Sequence, residues 1–281
     1  MTNFLKRTLT GAGFVIITAA FILISKWTLL VLLLFFNITA QIEFFKLVKK
    51  DESKPLTFSA IFSGVLLIII SFLYSENILS GDAFGIVLVP FMFIYLEELY
   101  SNNTNPLRNV AFSFLSVFYI SLPLSISLFL VYGFNQISDI QTVNYNPEVL
   151  LGIFALIWIF DTIAYLIGVP LGKNRLFKRI SPLKSWEGTI GATIFTLVAG
   201  YFFYKIIPVL SIESWLIISA VIIVFGTFGD LIESMFKRSI DIKDSGNILP
   251  GHGGILDRID SFLFVIPWIW IYLIIIKLLN C

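Results

Sequence analysis

LLGIFALIWIFDTIAYLIG, residues 150–168, holds a single charged side chain, Asp161, among 19 positions. About 20 apolar residues, at ~1.5 Å of rise each, are what an α-helix needs to cross the hydrocarbon core of a bilayer. Such stretches recur along the 281-residue chain, which is 58% hydrophobic and 13% charged with a mean hydropathy of +0.93. That composition leaves too little polar surface to cover a water-soluble globule. The expected fold is all-α, a polytopic integral membrane protein with about nine transmembrane helices, near 9–25, 27–45, 56–74, 82–96, 109–132, 149–169, 188–207, 212–230 and 260–279. Lys26 alone divides the first pair, and Pro90 interrupts the fourth.

Nine spans put sixteen of the 19 Lys and Arg on one side and leave Lys26, Lys205 and Lys277 opposite. Basic residues collect on the cytoplasmic side of membrane proteins, so the N-terminus is expected in the cytoplasm and the C-terminus outside. The first span follows Lys6 and Arg7 without a small-residue cleavage site and is expected to be retained. Residues 1–135 read as apolar spans on short loops, with Glu43, Asp82, Glu97 and Glu98 near membrane boundaries and nothing that reads as a reaction site. The polar chemistry gathers in 136–281, the expected catalytic region with its cytoplasmic loops.

Asp161 costs roughly 2.5 kcal/mol or more if it faces lipid, so it must face protein or water. It is a candidate for a substrate or metal site; the alternative is a structural carboxylate bonded to neighbouring helices. The following segment, GVPLGKNRLFKRISPLKSWEG (168–188), fails as a phosphate-binding P-loop, because Gly168 and Gly172 are three residues apart and Asn174 replaces the magnesium-binding Ser or Thr. Lys173, Arg175, Lys178 and Arg179 fit positive-inside bias or headgroup contact. Ser181, Lys184 and Glu187 precede a span containing Gly188 and Gly191, small residues that let helices pack closely, and Lys184 is a substrate-binding candidate.

Asp230 ends the span at 212–230, with Glu233 and Lys237 on its helical face. The run SMFKRSIDIKDSGNILPGHGGILDRID (234–260) then concentrates charge in a chain that avoids it. Asp257 and Asp260, at i and i+3 on a helix start, present both carboxylates to one side and repel unless a cation lies between them or one is protonated. Lys237, Arg238, Lys243 and Arg258 supply groups that hold phosphate oxygens. Gly246, Gly251, Gly253 and Gly254 allow close backbone approach to a ligand or unusual backbone angles. His252 is the only histidine and Cys281 the only cysteine, so a disulfide, a cysteine metal site and any two-histidine site are excluded. A metal would be held by carboxylates and substrate phosphates, which favours a hard ion such as Mg²⁺.

The pattern from Ser234 through Lys237-Arg238, Lys243-Asp244-x-Gly246 and Leu249-Pro250-x-His252-Gly253-Gly254-Ile255-x-Asp257-Arg258-Ile259-Asp260 resembles the signature of the phosphatidate cytidylyltransferases, the CDP-diacylglycerol synthases, without departure. The likeness extends through Asp161-Thr162-x-Ala164-Tyr165, Gly172-Lys173, Ser181-Pro182-x-Lys184-Ser185-x-Glu187-Gly188 and Gly229-Asp230-x-x-Glu233-Ser234. It implies Mg²⁺-dependent transfer of a cytidylyl group from CTP to phosphatidic acid within the lipid bilayer of a bacterial plasma membrane, with no nucleic-acid partner and a possible homodimer. On the same resemblance Asp230, Asp257 and Asp260 are assigned to metal, with Asp161 and Asp244 as outer or second-site candidates. Asp257, Asp260, Lys237 and His252 then stand as catalytic, His252 orienting a phosphate or a carboxylate. Lys173, Lys184, Glu187, Lys237, Arg238, Lys243 and Arg258 would meet the two phosphate-bearing substrates. A transporter and a CTP-using polyprenol kinase remain as other classes, separated by whether the product is net transport, a phosphorylated lipid or a CDP-lipid.

Overall fold

Lipid offers no partner to a backbone amide, so an apolar chain of this kind satisfies its N–H and C=O groups within helices. The computed structural model describes residues 3–49, 53–133, 145–242, 244–246, 248, 251 and 253–279. It is an all-α membrane protein apart from one short hairpin. Among the described residues seven helices are long and apolar enough to span a membrane: Lys26–Lys49, Thr57–Ser75, Pro106–Tyr132, Pro147–Leu171, Trp186–Ile206, Ile212–Ser239 and Leu256–Leu279. The two other expected segments are shorter. Leu9–Ile24 is the apolar part of the first helix, and 82–96 is divided between a 3-10 turn at Gly81–Val87 and the helix Leu88–Leu99.

The chain forms two compact units, residues 1–145 with 240–259, and residues 146–239 with 260–281. The first differs from the expected division near 135, since it includes part of the charged run. It contains α1 (Asn3–Ile24), α2 (Lys26–Lys49), α3 (Thr57–Ser75), α4 (Leu88–Leu99), α5 (Pro106–Ser116) and α6 (Leu122–Gly133), the last two joined by a π-helical turn at Val117–Ser121. The break before α2 is a reciprocal cap: the Thr28 N–H donates to the Ser25 hydroxyl at 3.1 Å, and the Ser25 N–H donates to the Thr28 hydroxyl at 3.0 Å. Inside this unit Gln41 donates to Asn37 at 3.0 Å and to Ser121 at 2.8 Å, while the Ser116 hydroxyl donates back to Gln41 at 3.2 Å. These polar groups are fully buried and bond to one another where water is excluded.

The second unit contains α7 (Pro147–Leu171), the antiparallel strands β1 (Arg175–Phe177) and β2 (Ser181–Ser185), α8 (Trp186–Ile206), α9 (Ile212–Val221), a π-helical turn at Ile222–Gly226, α10 (Thr227–Ser239) and most of α11 (Leu256–Leu279). α7 and α8 approach closely, as the glycines predicted. A Cβ at Gly188 would lie 2.9 Å from the Gly168 Cα. Ser185 caps α8 by accepting from the Gly188 N–H at 3.3 Å, which turns the hairpin directly into the helix. The span expected at 212–230 runs on helically to Ser239, because the charged residues of its last turns find partners there. Phe154 stacks on Phe262 at 4.2 Å between ring centroids and joins α7 to α11 in the core.

Candidate active site

The chemistry of the second unit starts from a missing side chain. Where α10 crosses α11, a Cβ at Gly229 would come within 2.8 Å of the Phe264 Cβ and 3.0 Å of the Asp260 carbonyl oxygen. Only a hydrogen fits, and the close crossing brings the next residue, Asp230, beside Asp260. Asp230, Glu233 and Lys237 lie along one face of α10, as their spacing predicted. Ligand oxygens of Asp230, Glu233 and Asp260 all lie within 4.8 Å of one another. Glu233 is 1%, Asp260 7% and Lys237 8% exposed, so these charges sit largely out of solvent.

Two ammonium groups are interleaved with the acids. Lys184, at the end of β2, forms an ion pair with Asp230, and Lys237 forms one with Glu233. Asp161, exposed on α7, acts on Lys184 at longer range, as does Asp260. Burial works to lower the Lys184 pKa, but Asp230 and then Asp161 outweigh it and hold the ammonium above its usual 10.5.

The donor set fits a hard divalent cation. It contains carboxylate oxygens alone, the ligand type that Mg²⁺ takes. Four acids against two ammonium groups leave a formal charge of −2, which one divalent ion neutralises. Carboxylates packed this closely need such a counter-charge or a shared proton.

The other sequence-predicted residues occupy different settings. In the first unit Asp257 accepts the Ser245 N–H at 2.9 Å and the Gly254 N–H at 2.7 Å, holding the loop to the start of α11. Asp244 and Arg258 are exposed in that unit. In the second unit Lys173 and Arg238 are exposed, the latter donating to the Ile180 carbonyl at 3.4 Å. Glu187 accepts from the Asn174 side chain at 2.8 Å and its backbone N–H at 3.1 Å, bracing the turn between α7 and the hairpin. Lys243 and His252 lie outside the described residues. Gly251 and Gly253 adopt φ of 79° and 81°, the left-handed angles that glycine tolerates.

Two residues take parts that the sequence does not assign to them: Glu233, placed on the face of Asp230 without a role, and Glu43, placed only near a membrane boundary. Glu233 shares a helix face with Asp230 three residues on, and that spacing was the available signal. Glu43 had no such signal, because its partners lie more than 200 positions away.

The sequence profile of the cytidylyltransferase family matches residues 5–276. The chain is 35% identical to a phosphatidate cytidylyltransferase of Staphylococcus haemolyticus, over 95% of this chain and 98% of that protein. It is 31% identical to a phosphatidate cytidylyltransferase of Bacillus subtilis, over 97% and 98% of the two chains. A Staphylococcus aureus protein of the same name reaches 43% identity across 136 residues, 48% of this chain and 52% of that one. A group of acids and lysines carried by α10, α11 and β2 thus coincides with a match that runs almost from end to end, and the chain belongs to the cytidylyltransferase family.

Proposed function

We propose that the protein transfers a cytidylyl group from CTP to phosphatidic acid, giving CDP-diacylglycerol and pyrophosphate for phospholipid biosynthesis, on the cytoplasmic side of a bacterial plasma membrane. The observation that carries this reading is the convergence of Asp230, Glu233 and Asp260 with Lys184 and Lys237, in a chain whose full-length relatives bear that enzyme's name. In the reaction a lipid phosphate oxygen bonds to the α-phosphorus of CTP as the bridging bond to the β-phosphate breaks, and pyrophosphate departs with that bond's electrons. Phosphomonoesters have a second pKa near ~6, so the nucleophile is already largely ionised at neutral pH and no protein base is required. What remains is positioning and charge neutralisation.

Lys184 and Lys237 are suited to that work because their ammonium groups are already held among the acids and need little reorganisation when phosphates arrive. The exposed Lys173, Arg238 and Arg258, with Lys243, offer further cations to the triphosphate and the lipid headgroup. Asp230, Glu233 and Asp260 would hold Mg²⁺, which when bound supplies neutralisation of phosphate charge.

The test supplies purified protein in detergent with α-³²P-labelled CTP, phosphatidic acid and Mg²⁺ and identifies the labelled lipid. Labelled CDP-diacylglycerol is expected. Label passing to a lipid only from γ-³²P-CTP would instead mark a lipid kinase and overturn the reading.

The orientation has its own test. Ser239 is exposed at the end of α10. A Ser239→Cys variant should react with an impermeant thiol reagent from the cytoplasmic face, while the native Cys281 should react from the outside. Labelling of both from one side would overturn the orientation proposed for the last helix.

A further inference from the structure

Glu43 lies on α2, in the half of the chain where the sequence offers no reaction chemistry, yet it is 1% exposed and both its oxygens are engaged. Oε1 accepts the Ile255 N–H at 3.1 Å. Oε2 accepts the Leu256 N–H at 2.8 Å and the Ser245 hydroxyl at 3.2 Å. The two N–H groups belong to the entry of α11, where a helix leaves its first donors without internal partners and carries the positive end of its dipole. A carboxylate answers both needs.

The glycines of the loop fit the same carboxylate. A Cβ at Gly246 would lie 2.8 Å from the Glu43 Cδ, and one at Gly254 would lie 2.5 Å from it. Close approach at these two positions is therefore made to a protein carboxylate, where the sequence alone suggested a ligand. Burying a charge is a poor way to gain stability, since well-packed apolar groups often do as well. A charge retained here fixes position.

We propose that Glu43 is a positioning residue for the transfer reaction: it sets the first turn of α11, and so the placement of Asp260 one helical turn later on the same helix. The inference rests on the reading of Asp230, Glu233 and Asp260 as the cation-binding group. Glu43→Gln replaces one acceptor oxygen by an NH₂ group that must face an N–H donor, so the entry of α11 loses a partner and shifts.

The experiment measures Mn²⁺ binding to the full-length protein in detergent by paramagnetic resonance, without substrates, alongside kcat and thermal midpoint. Glu43→Gln is expected to weaken Mn²⁺ binding at least fivefold and to lower kcat at least tenfold. Unchanged Mn²⁺ affinity and unchanged rate per folded molecule, whatever the midpoint, would overturn the proposal. Should Glu43→Gln fail to fold, Ser245→Ala, which removes one of the three donors, should weaken Mn²⁺ binding two- to threefold, and no change there would also overturn it. A parent that binds Mn²⁺ but makes no CDP-lipid refutes the transferase reading while the comparison of affinities still decides Glu43. A parent that binds no Mn²⁺ refutes the positioning role together with the cation site.

Discussion

Asp260→Asn and Asp230→Asn are each expected to lower the rate of cytidylyl transfer at saturating Mg²⁺ by at least ~100-fold, since several kcal/mol of charge stabilisation is lost and each ~1.4 kcal/mol is a factor of ten. Both substitutions keep shape and remove one charge from a group whose oxygens lie within 4.8 Å of one another. Because like charges so close repel, Asp260→Asn should melt above the parent in EDTA, whereas Asp230→Asn, which leaves Lys184 without its ion-pair partner, should melt below it. The parent should gain stability as Mg²⁺ is added, by about 2.7 kcal/mol at one hundred times the dissociation constant. The variants should lose most of that gain. Melting curves with and without Mg²⁺, beside the labelled-lipid assay, check both halves; retention of the parent rate within threefold in both variants would remove the metal assignment.

Lys184→Met is expected to reduce transfer by at least ~100-fold and to lower the melting temperature as well, because it leaves Asp230, and Asp161 behind it, without their counter-charge. The two effects separate in the double variant Lys184→Met/Asp230→Asn. Removing both charges should restore most of the melting temperature while the rate stays low. Recovery of the rate in the double variant would reduce Lys184 to a structural counter-ion. The pH dependence has a definite sign. A lysine whose folded pKa lies above 10.5 contributes its ion-pair stability fully below that value and loses it only as pH rises through the higher folded value. Lys184 should therefore produce no alkaline loss of stability between pH 7 and 10.

What was legible in the sequence followed from short-range physics. Apolar runs of membrane length announced the long helices, and the lone acid within one of them, Asp161, lies within electrostatic reach of Lys184. The i, i+3, i+7 spacing alone puts Asp230, Glu233 and Lys237 on one helix face. The segment at 82–96 had the composition of a span, but hydropathy does not register where a helix changes to a tighter turn, as it does at Val87. The hairpin was illegible as strand because β2, the five-residue strand that carries Lys184, is punctuated by Pro182 and has no run of alternating apolar residues. Glu43 was illegible for a different reason. A carboxylate near the end of an apolar helix reads as a boundary residue, and only the fold reveals that Ser245, Ile255 and Leu256 arrive to meet it.

The membership of residues 240–259 in the same compact unit as the first 145 residues bears on how the protein is made. Ser245 follows Glu43 by 202 positions, so at ~5–20 residues per second the ribosome needs roughly 10–40 s to deliver the partner after the acid has emerged. Through that interval the early helices enter the bilayer carrying a carboxylate that has yet to meet its donors. The N-terminal helices are thus completed by a piece of chain synthesised about 200 residues after them, and their final assembly waits for its arrival.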